Sequence, residues 1–128
     1  IGRSDEPGTT NPWMNKYIFP GGYSPALSEV FSAVQQTGLW VTDCEILRLH
    51  YARTIAIWHK RFAARRAEAV AMYDERFARM FEFYLVAAEL AFRVQGHMNF
   101  QLQLSPSINA VPYTRDYMVD AERGKNAP

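Results

Sequence analysis

Cysteine is nearly missing from this sequence: Cys44 is the single one in 128 residues. One thiol excludes an intramolecular disulfide and a cysteine-rich zinc site, and it suits a reducing compartment. Long apolar runs are missing too, so nothing here reads as a membrane span or a signal peptide. Charge of one sign is also lacking, since 14 Lys and Arg stand against 13 Asp and Glu for a formal net charge of +1. No global basic field exists to draw in nucleic acid, and an anionic partner must be met locally. Neither a GxGxxG nor a Walker spacing occurs, so Pro20-Gly21-Gly22 reads as a structural turn. His50, His59 and His97 lie far apart, with no carboxylate or thiol at metal-ligand spacing.

Apolar and aromatic residues are plentiful, at 48% and 14% of the chain. That is enough for one domain with a packed core. The first residue is Ile1 rather than Met, and a loop-like stretch follows, so the sequence reads as a piece of something longer. Residues 1–22 carry Pro7, Pro12 and Pro20 around Trp13, Met14, Tyr17, Ile18 and Phe19, which predicts an ordered loop of turns and extended pieces. Ser24-Pro25 predicts a helix N-terminus, and Leu27, Val30, Phe31 and Val34 keep helical spacing until Gly38.

Residues 39–47 alternate as a strand, with a bend or bulge expected near Asp43 and Glu45. From Tyr51 the period becomes helical, and Tyr51, Ile55, Trp58 and Phe62 form one stripe. Tyr73-Asp74 predicts a break. After it Phe77, Phe81, Tyr84, Leu85, Ala88 and Phe92 make the strongest amphipathic pattern, closed by Gly96. The strict alternation of Met98, Phe100, Leu102 and Leu104 predicts a half-buried strand. Beyond Ser105 no period is visible. The order of helices and strands is that of an α/β fold, yet two strands cannot cover so much apolar helix surface, and further sheet is expected upstream of Ile1.

Chemistry is expected where the first strand gives way to a helix, because ligands of open α/β sheets gather at strand carboxyl ends. Tyr51 sits there, able to present its hydroxyl while its ring stays packed, and the residues leave a core role and a ligand role both open. Asp43 and Glu45 are either solvated strand-end acids or a general acid/base pair. Lys60, Arg61, Arg65 and Arg66 are either a solvated helix face or a surface for anionic headgroups.

Four stretches carry a family resemblance: NPWMNKYIFPGGYSPALSEV at 11–30, GLWVTDCEILRLHYARTIAIW at 38–58, YDERFARMFEFYLVAAELAFR at 73–93, and FQLQL continuing to VPYTRDY at 111–117. In order and spacing they resemble the cyclopropane-fatty-acyl-phospholipid synthases and the related mycolic-acid cyclopropane synthases. The resemblance implies the C-terminal portion of a Rossmann-like class I methyltransferase fold, with two strands, several long helices and an incomplete sheet. It implies residues 1–118 as part of the methyltransferase domain and 119–128 as a flexible tail. It also implies S-adenosylmethionine as methyl donor, its glycine-rich site lying upstream of this chain, and the cis double bond of a phospholipid acyl chain as acceptor. The product is a cyclopropane ring, and a bound bicarbonate is the base.

Of the family's bicarbonate ligands, the tyrosine falls on Tyr51 and the isoleucine backbone group on Ile1. The histidine, glutamate and cysteine would lie upstream, and Cys44 does not match the family cysteine. Helical phase and loop position add Phe19, Tyr23, Phe81 and Tyr84 as candidates for the acyl-pocket wall. The resemblance further implies a cytoplasmic enzyme in peripheral contact with the inner face of the membrane, a homodimer when complete, and no catalysis by this piece alone. The alternatives are a non-catalytic lipid or membrane-interaction module, and a methyltransferase of the same fold acting on a fatty acyl chain without ring closure or on a small amine.

Overall fold

The computed structural model describes residues 11–124. Eight elements follow one another within them: α1 (Pro12–Tyr17), α2 (Leu27–Gln35), β1 (Trp40–Ile46), α3 (His50–Ala64), α4 (Arg66–Met72), α5 (Glu75–Val94), β2 (Phe100–Ser105) and α6 (Asp116–Glu122).

The prediction of loop for the first 22 residues is corrected by α1. Asn11 Oδ1 accepts from the amides of Trp13 and Met14 at 2.9 and 3.3 Å, and Pro12 opens the helix where its missing N–H costs nothing. Pro20 and Gly21 then form the centre of a turn closed by Gly22 N–H donating to the Phe19 carbonyl at 2.8 Å. Gly21 has φ 74°, and a Cβ on Gly22 would stand 2.8 Å from that of Phe19. Both glycines are therefore required by the turn, and Asn15 Oδ1 ties it back to α1 by accepting from Gly21 N–H at 2.8 Å.

The predicted start of α2 at Ser24-Pro25 is also corrected. The helix begins at Leu27, because the Glu29 carboxylate reaches back to accept from the Ala26 amide at 2.7 Å and from the Tyr23 hydroxyl. A carboxylate in the first turn satisfies the amide that a serine cap would have taken.

β1 and β2 pair antiparallel, from Trp40 opposite Ser105 to Ile46 opposite Phe100. The expected bulge is present: the register slips between Val41 and Asp43, and the extra residue Thr42 donates its hydroxyl to the Gln103 carbonyl at 3.1 Å. β2 begins at Phe100, so Met98 lies before it. A tight turn follows β1, with His50 N–H on the Leu47 carbonyl at 2.8 Å and Arg48 at φ 32°, a conformation side chains seldom adopt. This turn drops the chain straight into α3, so Tyr51 stands at the second residue of the helix.

α3 and α5 pack through Ala52, Ile55, Ala78, Leu85 and Ala88, all buried. Ile55 and Leu85 are the largest fully buried side chains, and Tyr51, Phe62, Phe81, Tyr84 and Phe92 close over them. The helix expected to run unbroken from Tyr51 to Tyr73 breaks at Arg65, whose φ of −120° leaves the helical region. Arg65 pairs there with Glu68, and Arg66 pairs with Glu75 and Glu82. Half of the basic set Lys60, Arg61, Arg65 and Arg66 is thus matched by acids.

The stretch beyond Ser105, in which no period is visible in the sequence, forms α6. Arg115 pairs with Asp43 at 2.7 Å, and the Tyr117 hydroxyl donates to Gln103 Oε1 at 2.6 Å, which hold the helix against the sheet. Asp43 is therefore a structural ion-pair partner rather than a solvated acid. The expected domain boundary at residue 118 falls inside this helix. Much apolar surface stays open, with Met72 72% and Val94 74% exposed. Among the described residues no helix is long and apolar enough to cross a membrane.

Candidate functional site

Tyr51 lies in the first turn of α3, half-buried, with its ring edge-on to Phe92 at 5.0 Å and to Trp58 at 5.7 Å. Trp58 stands two helical turns further along the same stripe, and Phe92 comes across from α5. Around the corner Tyr84 contacts Phe81 at 5.6 Å and Phe19 at 5.8 Å, and Phe81 meets Phe62 at 5.1 Å. The turn at Pro20 and Gly21 is what delivers Phe19 to this place. Edge-to-face packing of this kind holds ring orientations as well as burying area.

Four of the residues singled out by sequence therefore come together: Tyr51, Tyr84, Phe81 and Phe19. Tyr23 goes elsewhere, its hydroxyl engaged by Glu29, which also raises its pKa above the ordinary tyrosine value. Ile1 lies outside the described residues. Trp58 and Phe92 were legible as stripe residues but not as neighbours of the phenol. The signal for Trp58 was its seven-residue spacing from Tyr51, which returns to one helix face.

Neither the Tyr51 nor the Tyr84 hydroxyl makes a hydrogen bond among the described residues, so both remain available as donors. Burial raises the pKa of Tyr84, and proximity to the Tyr51 phenol raises it further. Ultraviolet titration of the phenols should show Tyr84 ionising above an ordinary tyrosine, with part of the elevation lost in Tyr51→Phe. A pKa of Tyr84 unmoved by that change would separate the two hydroxyls. A raised folded pKa favours the neutral phenol, so the contribution of Tyr84 to stability is complete below the unfolded pKa and is lost as pH rises through the folded one.

These groups fit an anion and an apolar chain together. The free phenol hydroxyl of Tyr51 suits bicarbonate as a hydrogen-bond acceptor, and the rings form a wall for hydrocarbon. No glycine-rich strand-to-helix turn of the kind that cradles S-adenosylmethionine occurs among the described residues. Nor do three His, Cys, Asp or Glu side chains group there as metal ligands would.

Known proteins of one family share this stretch of sequence and fold. Residues 2–102 match the family model described as mycolic acid cyclopropane synthetase. A tuberculostearic acid methyltransferase of Mycobacterium tuberculosis is 44% identical over 86 residues, covering 66% of this chain and 20% of the relative. The cyclopropane-fatty-acyl-phospholipid synthase of Escherichia coli is 34% identical over 98 residues, covering 77% of this chain and 25% of the relative. Among solved structures, a cyclopropane synthase from M. tuberculosis superposes with a TM-score of 0.70 at 30% identity, covering 72% of this chain and 32% of that one. A mycolic acid cyclopropane synthase complexed with SAH and CTAB gives 0.67 at 27% identity, again over 72% of this chain and 32% of that one. The chain thus spans about a fifth to a third of the length of these relatives. Its two strands and long helices are the C-terminal portion of the Rossmann-like class I methyltransferase fold. With the match running through 2–102 and collinear with both packed helices, the chain belongs to the mycolic acid cyclopropane synthetase family.

Proposed function

We propose that this chain supplies the C-terminal part of an S-adenosylmethionine-dependent methyltransferase that adds a methylene across a cis double bond of phospholipid acyl chains. The observation that carries the proposal is the half-buried Tyr51, its hydroxyl without a protein partner, set in a ring of aromatic side chains inside a family of lipid-modifying enzymes. S-adenosylmethionine, when bound by the rest of the enzyme, supplies the methyl, and bicarbonate supplies the base. The residues of this chain shape the place where the acceptor reacts. Tyr51 would hold that anion by donating its hydroxyl in a hydrogen bond. The π faces of Trp58, Phe92 and Tyr84 favour positive charge developing on the acyl chain. Phe81, packed against the buried pair of Ile55 and Leu85, excludes water that would quench that charge before the cation loses a proton and closes to a ring.

The complete enzyme is proposed to be cytoplasmic, in peripheral contact with the membrane, and homodimeric; residues 1–118 are proposed as the methyltransferase part and 119–128 as its tail. The alternative of a non-catalytic lipid module has less support, because Arg65 and Arg66, two of its four basic groups, are matched by glutamates. A second enzymatic reading, methylation of the acyl chain without ring closure, is favoured by the 44% identity to a tuberculostearic acid methyltransferase.

The test is to incubate the complete protein with methyl-labelled S-adenosylmethionine and vesicles of cis-unsaturated phospholipid. Label should enter the lipid as one added CH2, with loss of olefinic protons and gain of ring protons in the NMR spectrum. Retained olefinic protons on a labelled product would instead establish methylation without the ring. No label in the lipid would overturn the proposal.

A further inference from the structure

The side of α5 away from Tyr51 carries a furrow that the aromatic cluster does not use. At about 100° per residue, Arg76, Arg79, Phe83, Val86 and Leu90 fall roughly opposite the stripe of Phe81, Leu85 and Phe92. Two hollows run along it. One, of about 400 Å³, is lined by Trp13, Tyr17, Arg76, Arg79, Met80 and Phe83. The next, of about 570 Å³, shares Trp13 and Phe83 and continues past Met14, Val86 and Leu90. The two meet where Trp13 and Phe83 pack edge to face at 4.8 Å. The furrow is therefore continuous, with two guanidinium groups at one end, aliphatic side chains along its middle and the polar side chains of Asn11, Gln95 and His97 at the far end.

The cations in it are uncommitted. Neither Arg76 nor Arg79 forms a hydrogen bond or ion pair among the described residues. Arg79 is close enough to lower the pKa of Glu75, but Arg66 already holds that carboxylate at 2.5 Å. α1 adds Lys16, whose Nζ lies 5.2 Å over the ring of Tyr17. Apolar groups in the furrow are open as well, Phe83 being 57% and Leu90 47% exposed. Tryptophan and tyrosine flanked by basic residues is the composition that settles at a lipid–water interface.

We propose that this furrow docks the enzyme on an anionic membrane, with Arg76 and Arg79 engaging the phosphate of a phospholipid headgroup and Trp13, Phe83, Val86 and Leu90 receiving the first part of its acyl chains. The charge gradient decides for a lipid. A covering protein segment would need acids at one end and apolar side chains along the middle, whereas a phospholipid has that polarity in one molecule. The proposal rests on the lipid-methyltransferase reading only for the class of ligand. Vesicle binding is measured without turnover, so either can fail while the other stands.

The complete protein should sediment with phosphatidylglycerol vesicles more than with phosphatidylcholine vesicles, and added salt should release it. Arg76→Gln with Arg79→Gln should weaken binding to phosphatidylglycerol by roughly 10- to 30-fold. Lys60→Gln with Arg61→Gln, on α3, should leave it within about twofold, because that pair lies outside the furrow. Equal losses from both pairs would show a diffuse charge effect and overturn the docking site, as would unchanged binding in the α5 variant. A changed oligomeric mass or a lowered melting temperature in the α5 variant would likewise overturn it, assigning the furrow to another part of the protein or a second copy.

Discussion

Tyr51→Phe in the complete enzyme should lower methyl transfer by about 100-fold or more, the loss expected when one positioned donor to an anion in a catalytic site is removed. The substitution is unusually clean. Phenylalanine keeps the ring and therefore its edge-on contacts with Phe92 and Trp58 at 5.0 and 5.7 Å. Because the hydroxyl has no partner among the described residues, deleting it strands no buried group, and folding stability should change by no more than about 0.5 kcal/mol. S-adenosylmethionine binding should stay nearly intact, since the glycine-rich turn that would cradle it does not occur among the described residues. A purely structural tyrosine would tolerate the same change without loss of turnover, and that result would remove Tyr51 from the mechanism. Tyr84→Phe is the companion measurement: a comparable loss would mean that the two neighbouring phenols share the anion.

The parts of the fold that were legible are those whose order is local. Tyr51, Ile55, Trp58 and Phe62 mark α3, and Phe81, Leu85 and Phe92 mark α5, because several turns of repeated period leave a pattern that a few exceptions cannot hide. The bulge at Thr42 was foreshadowed by the adjacent acids, though the reason for it, a hydroxyl reaching the Gln103 carbonyl, is a contact between residues 61 apart. α6 escaped because its anchors are of the same kind: Arg115 reaches back to Asp43 and Tyr117 to Gln103. α1 escaped for a different reason, since six residues make too few turns for a period, even though Asn11-Pro12 is a cap followed by a proline at the first helical position.

At the site, the stripe placed Tyr51 against the core, but only the tertiary structure brings Phe92 to its ring and, through a glycine turn, Phe19 to Tyr84. Tyr23 shows the limit of loop position as a guide. It lies four residues after Phe19, yet its hydroxyl turns to Glu29 and helps define the start of α2.

Leu85→Ala should be, with truncation of Ile55, the most destabilising single change among the described residues, lowering folding free energy by about 2 to 5 kcal/mol. Leu85 and Ile55 are each 1% exposed, and they meet where α3 and α5 close together. Ala88 sits beside them, and the rings that close over the pair are held by one another, so the cavity left by a lost isobutyl group is not refilled. A domain of this size has only about 5 to 15 kcal/mol in all, so the loss is a large fraction of it. Val94→Ala on the same helix, at a position 74% exposed, should cost no more than about 0.5 kcal/mol. Urea unfolding of both variants checks the contrast, and a Leu85→Ala cost below about 1 kcal/mol would refute the packing of the two helices described above. The effect should also reach the site, because Tyr51 and Tyr84 rest on the same buried pair and lose their footing when it is truncated. Combining Leu85→Ala with Ile55→Val should accordingly give a total that departs from the sum of the single changes by about 0.5 kcal/mol or more, as expected of residues sharing one cavity.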